Sequence, residues 1–217
     1  MLTVLLTRHG HTDLSDPEHY LGQKVVARLT ERGRADALAL AERLMPIDID
    51  RIISSPLARA METAQILAGE RPFESDARLA EMDYGYWDGL PTDEIQRRYA
   101  DEYARYEQDP QTHHVGGGES GEQVAERVSA LLDDLLGWWE REAGGADRTC
   151  LLVGHASVNR VLLGVCLGAP LVNYRRRFQF DWASLTVLRW PSREEGPRML
   201  LANDVAHAQG TVGNTWD

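Results

Sequence analysis

A mostly parallel α/β sheet is what this sequence predicts, and three observations carry the reading. Short apolar runs alternate with stretches of helical periodicity along the 217 residues, the signature of successive βαβ units. Two of those runs, Leu2 to Thr7 and Thr149 to Val153, lead into a histidine beside small residues, in Arg8-His9-Gly10 and Gly154-His155-Ala156. The last two runs, Leu185 to Leu188 and Met199 to Leu201, flank a Pro191 to Pro197 turn region and pair as a hairpin, which brings in an antiparallel member. The expectation is a six-stranded sheet, parallel except for one strand, in a single domain over residues 1–217.

The elements follow in order. Leu2 to Thr7 is the first strand. Thr30 then caps a helix carrying Ala35, Leu38, Ala39 and Leu44, which stops near Pro46. Ile52-Ile53 is the second strand and runs into Ser54-Ser55-Pro56, where Ser55 suits an N-cap and Pro56 the first helical position of a helix through Ala60, Ala64 and Leu67. A short third strand spans Phe73 to Ala77. Leu79 to Gly118 is an excursion over the sheet, with a turn-rich Met82 to Pro91 segment and a polar helix over Asp93 to Glu107. Ser120-Gly121-Glu122-Gln123 reads as a capping box, followed by Val124, Val128, Leu131, Leu135 and Trp138 on one helical face. Val158, Val161, Leu162 and Val165 mark another helix after the fourth strand.

Composition narrows the function classes. A net charge of −11 disfavours nucleic acid and anionic membranes as partners. The N-terminal apolar run is cut by Arg8, so neither a signal sequence nor a membrane span is expected. The two cysteines, Cys150 and Cys166, lie in apolar surroundings and suit reduced thiols in a cytoplasmic protein.

The chemistry gathers at strand ends. Ligands of open α/β sheets bind outside the carboxyl ends of the strands, so if the first and fourth strands are parallel neighbours, His9 and His155 meet at one edge. Arg59 falls in the first turn of its helix, where the macrodipole disfavours a cation unless an anion lies between. A helix N-terminus with Arg8 and Arg59 makes a phosphate pocket. Two imidazoles in that pocket call for either a metal or a phosphorylated histidine.

Six ordered blocks then resemble the histidine phosphatase superfamily, the phosphoglycerate mutase-like proteins: Leu6 to Thr12, Leu29 to Gly33, Ser54 to Ala60, Leu79 to Gly89, Gly117 to Ser120, and Gly154-His155. The ending Leu201-Ala202-Asn203-Asp204 is similar to the family's last strand. The resemblance implies a three-layer α/β/α sandwich and two-step phosphoryl transfer without cofactor or metal, by a histidine acid-type phosphatase. It implies His9 as nucleophile, Arg8, Arg59 and His155 on the phosphoryl oxygens, and Glu81 as proton donor, with Asp83, Asp88 and Glu119 as rivals for that role. Ser15, Gly22 and Ala156 fall at substrate-binding positions. Here the chain departs from the family, with Leu14 and Ser15 where Trp and Asn are frequent, Gly22 to Arg28 without the common Asp and Pro, and Ala156 for a frequent Gly.

The resulting expectation is a metal-independent phosphomonoesterase for a small-molecule substrate. A phosphoglycerate mutase is the alternative within the family, set second because Glu81 to His155 is compact. From other classes come a phospho-ligand binding module without turnover, and a His-x-His metal site at His9 and His11 in an amidohydrolase-type barrel, a fold that typically needs about 250 residues. His11 is a supporting or substrate contact, His113-His114 a solvated loop, Trp87 packing for the acid loop, and Arg175-Arg176-Arg177 a solvated face or a second-anion contact. The oligomeric state stays open, a homodimer included.

Overall fold

The computed structural model describes residues 1–142 and 144–208. Six strands form one sheet in the order β3-β2-β4-β1-β5-β6: β1 Leu2–Arg8, β2 Arg51–Ser54, β3 Glu74–Ser75, β4 Arg148–Gly154, β5 Leu185–Trp190 and β6 Arg198–Asp204. β1 pairs parallel with β4 from Leu2↔Arg148 to Arg8↔Gly154, and β2 pairs parallel with β4 and β3. β5 runs antiparallel to both β1 and β6, so it alone opposes the rest. The neighbouring strands expected to bring His9 and His155 together are therefore adjacent.

Alternate residues of the central strands supply two cores. Leu2, Val4 and Leu6 of β1, with Cys150 and Leu152 of β4, pack against α5 (Gly121–Arg141) and α6 (Ala156–Leu167). Leu5, Leu151, Val153 and Ile52 pack on the other face against α1 (Glu31–Leu44) and α2 (Ala58–Ala68). Burial on both faces explains why these strands read as continuous apolar runs and not as alternation. The result is the three-layer arrangement.

Several local expectations are corrected. Helix α1 keeps its Thr30 cap but buries Gly33, Asp36, Ala37, Leu40 and Leu44, while Leu38 is 54% exposed. Its phase is set by Gly33, where a Cβ would stand 2.1 Å from the His11 carbonyl oxygen, so this residue must face the strand β1 loop. Helix α2 starts at Ala58 after Leu57, without a side-chain cap, and Ser55 is engaged elsewhere. The third strand is only Glu74–Ser75. The polar helix is two helices, α3 Thr92–Arg98 and α4 Ala100–Gln108, broken at Tyr99, whose ring lies against Tyr86 and Trp87. The capping box of α5 is present as expected, but Trp139 is the buried tryptophan and Trp138 only partly so. Trp87 is fully buried among Tyr20, Tyr103 and Tyr106 and holds the 79–118 excursion onto the sheet. Among the described residues no helix is long and apolar enough to cross a membrane.

Candidate active site

Three parallel strands deliver the site. β1 ends in Arg8 and His9, β4 in Gly154 and His155, and β2 in Ser54 and Ser55, and the joins are stitched by His9 N–H to Gly154 O at 3.0 Å and Ser55 N–H to Val153 O at 2.9 Å. The turn after His9 is so close to α1 that a Cβ at Gly10 would lie 2.5 Å from Gly33 O, which leaves glycine as the only fit.

His9 is 4% exposed and its Nδ1 lies 2.7 Å from Gly10 O. A carbonyl can only accept, so Nδ1 carries the hydrogen and Nε2 keeps its lone pair. Burial, then Arg59 and Arg8, hold its pKa well below the usual histidine value, so the ring is neutral. The His155 ring centroid stands 5.1 Å away. His155 is fully buried, and its Nδ1 accepts from Arg59 Nε at 3.2 Å, so its Nε2 donates to Ser55 Oγ at 2.7 Å. Burial and Arg59 push its pKa well down too.

Arg59 extends from the first turn of α2, is 1% exposed, and donates from Nη2 to the carbonyls of Leu21 and Gly22, each at 2.9 Å. No carboxylate pairs with it among the described residues, and burial lowers its pKa against the opposing pull of Glu81. Arg8 donates to Phe180 O at 2.9 Å and lies 5.0 Å over the Trp182 ring, while its buried Nε has no partner. Burial, then Arg160, brings its pKa down to about 10, so it remains a cation.

Glu81, 4% exposed, reaches the N-terminus of α6. Its Oε1 accepts from the N–H groups of Met82 at 2.8 Å and Val158 at 3.0 Å, and its Oε2 from Ser157 N–H at 3.0 Å. Three of about four lone-pair positions are thereby taken, and the one left on Oε2 is where a proton can reside. The rival carboxylates are committed elsewhere. Glu119 is paired with Arg127 at 2.9 Å, Asp88 accepts from the N–H groups of Gly22 and Lys24, and Asp83 accepts from Gly85 N–H and Lys24.

Arg8, His9, Glu81, Ser15 and Ala156 line one cavity of about 160 Å³. Arg59 and His155 are not among the residues that line it. Ser15 turns its hydroxyl to Thr12 at 3.0 Å, and Gly22 lies outside the lining, holding Arg59 through its carbonyl. His11 braces the loop, with Nδ1 3.0 Å from Thr30 Oγ1, Nε2 2.9 Å from Asp16, and its ring edge-on to Trp182. His114 Nδ1 lies 3.2 Å from Gly118 O in the excursion. Among the described residues no three His, Cys, Asp or Glu side chains gather as a metal-ligand set.

The expected solvated face at Arg175 is corrected. Arg175 is only 18% exposed, pairs with Glu107 at 2.7 Å, donates to the hydroxyls of Tyr106 and Tyr20, and lines the cavity, because α7 (Tyr174–Arg177) folds back onto the excursion. Arg176 and Arg177 are exposed. Three further roles escaped the sequence reading: Ser55 as partner of His155, Tyr84, whose hydroxyl lies 2.7 Å from Ser157 Oγ, and the cavity-lining Arg160. For Arg160 the available signal was spacing, since it lies four residues after Ala156 on the same helical face.

A strand-end histidine, a second imidazole, buried arginines and a buried glutamate thus gather at one sheet edge of an α/β/α fold. Residues 4–205 match the histidine phosphatase superfamily (branch 1), and the chain belongs to that family. Among curated relatives it is 34% identical over 219 residues to glucosyl-3-phosphoglycerate phosphatase of Mycobacterium tuberculosis, covering 97% of this chain and 96% of that one. It is 29% identical over 196 residues to phosphoserine phosphatase 1 of Hydrogenobacter thermophilus, covering 89% of each. Among solved structures, Bacillus stearothermophilus YhfR superposes with a TM-score of 0.85 at 27% identity, over 96% of this chain and all (100%) of the other.

Proposed function

We propose that the protein is a metal-independent phosphomonoesterase that works through a phosphohistidine on His9. The observation that supports this most is the orientation of the His9 ring: Nδ1–H is held by Gly10 O, and the neutral ring keeps its Nε2 lone pair beside Arg8 in the cavity that also holds Glu81. In the first step Nε2 attacks phosphorus, the P–O bond to the leaving group breaks, and Glu81 gives its proton to the departing oxygen. In the second step water attacks the phosphohistidine, Glu81 takes the water's proton, and the P–N bond breaks to release phosphate. Arg8 and Arg59 supply positive charge to the phosphoryl oxygens, and His155 joins them by turning its Nε2–H from Ser55 to an oxygen.

The cavity of about 160 Å³ is well below the roughly 300–1,000 Å³ of sites for larger ligands. That size fits a small phosphorylated metabolite. The relatives named above are called phosphatases of phosphoserine and of glucosyl-3-phosphoglycerate, both small phosphomonoesters. The test is hydrolysis of nitrophenyl phosphate after exhaustive chelation. Turnover that persists, and is competitively inhibited by vanadate, is the expected result; loss on chelation with recovery on adding a divalent metal would overturn the reading.

A further inference from the structure

The turn that precedes β5 has no task in the chemistry above, yet it is wrapped around Arg8. Arg8 Nη1 donates to Phe180 O at 2.9 Å, Ala183 N–H donates to Arg8 O at 3.1 Å, and the Arg8 guanidinium carbon lies 5.0 Å from the centroid of the Trp182 ring. Ala183 is fully buried with φ at 53°, a left-handed conformation that a residue with a Cβ keeps only where its surroundings dictate it. Those surroundings come from the end of the chain. Asn203, near the end of β6, grips Asp181 at two points, accepting from its N–H at 2.7 Å and donating from Nδ2 to Oδ2 at 2.8 Å. His207 Nε2 donates to Ala183 O at 2.9 Å. The closing block Leu201 to Asp204, which stands out in the sequence and takes no part in phosphoryl transfer, thereby braces the turn that carries Trp182. The indole is also held from α1 and the loop before it, edge-on to His11 with ring centroids 4.7 Å apart and 5.9 Å from the Arg32 guanidinium carbon.

What Arg8 lacks gives this contact its weight. Among the described residues its side chain makes no ion pair and the one hydrogen bond to Phe180, and its Nε is buried without a partner. Glu18, Glu81 and Asp181 pull on its charge from a distance against burial and Arg160. None of the three is tied to it: Glu81 is taken up by three N–H groups, Asp181 by Gln179 and Asn203, and Glu18 is exposed. A carboxylate partner would hold the guanidinium but compete with an incoming phosphoryl group for the same N–H donors. An aromatic face attracts the cation through its quadrupole and occupies no donor. A side chain fixed in this way also loses less freedom when the anion arrives.

Resting on the phosphatase reading, we infer that Trp182 is a positioning residue for Arg8: its ring fixes the guanidinium at the phosphoryl site without occupying its N–H donors, and Asn203 and His207 hold that ring in place.

The test measures the affinity for orthovanadate by vanadium NMR, which needs no turnover and reaches millimolar dissociation constants, in Trp182→Phe and Trp182→Leu, each with Arg8 and with Arg8→Ala. Loss of a largely desolvated cation–π contact predicts that Trp182→Leu binds about 3- to 30-fold more weakly than wild type. Trp182→Phe keeps an aromatic face and should lose clearly less. In the Arg8→Ala background the Trp182→Leu change should add less than about 2-fold, because the group it positions is gone. A ring that only fills space would cost the same with and without Arg8. That result, equal losses in Trp182→Phe and Trp182→Leu, or unchanged affinity in Trp182→Leu would each overturn the assignment. A wild-type protein that neither binds orthovanadate nor turns over nitrophenyl phosphate would instead refute the phosphatase reading, and this inference with it.

Discussion

Replacing Glu81 by glutamine separates its chemical role from its structural one, and the geometry gives both magnitudes. Glutamine can keep its single carbonyl oxygen on the N–H groups of Met82 and Val158, the two that Oε1 now serves. Its amide nitrogen then confronts Ser157 N–H, donor against donor, where Oε2 accepted at 3.0 Å. A buried N–H without a partner costs about 1–3 kcal/mol, and loss of the anion at the start of α6 adds about 0.3–1 kcal/mol. The sum of roughly 1–4 kcal/mol lowers Tm by about 2–16 °C for a chain of this size, so kinetics belong well below that transition. Loss of a general acid lowers hydrolysis of an alkyl phosphate by about 10²–10⁴-fold. Nitrophenolate leaves without help, so phosphoenzyme formation from nitrophenyl phosphate should fall by less than about 10-fold and the intermediate should accumulate as a burst. Rapid-quench measurements on both esters decide the matter. Equal losses on the two leaving groups would refute the acid role, and a selective loss in Asp83→Asn would transfer it there.

Two other perturbations follow from the imidazoles. His9 and His155 have folded pKa values below their unfolded ones, so the unfolded chain binds more protons as pH falls through about 6.5; stability contributed by these neutral rings is full above that pH and is lost progressively below it. By the same sign, kcat/KM corrected for substrate ionisation should show no limb from His9 near pH 6.5, and an acid limb there that coincides with protonation of the His9 ring followed by NMR would contradict the buried neutral ring. Ser55→Ala removes the acceptor 2.7 Å from His155 Nε2 in a fully buried position and the weaker contact to Leu57 N–H at 3.3 Å. Thermal unfolding should register a loss of about 1–3 kcal/mol, and an unchanged Tm would mean that His155 finds another acceptor.

How far the sequence could be read depended on what each signal measures. The ends of β1 and β4 were legible because buried parallel strands are apolar without interruption and stop abruptly at Arg8 and Gly154. The phase of α1 was not, since Gly33 faces inward for reasons of space and carries no apolar side chain to announce it. Ser55 before proline has the chemistry of a cap, and only the third dimension shows that its hydroxyl serves His155. The break between α3 and α4 comes from Tyr99 lying against Tyr86 and Trp87, a tertiary contact that helix propensity does not contain. Arg175 looked like part of a charge run because its partners Glu107, Tyr106 and Tyr20 are far away in the chain. His9, Arg8, Arg59, Glu81 and His155 converge on one sheet edge from four separate blocks, and that convergence rests on strand order, which periodicity alone implies only in outline.

The most direct measurement is the chemical identity of the trapped intermediate. Wild-type protein quenched in base during turnover of a labelled phosphomonoester should carry acid-labile phosphate on His9, attached at Nε2, because Nδ1–H is held by Gly10 O at 2.7 Å. The label should chase at the rate of turnover and be absent from His9→Ala. Phosphate on Nδ1, on another residue, or equally abundant in His9→Ala would contradict the account.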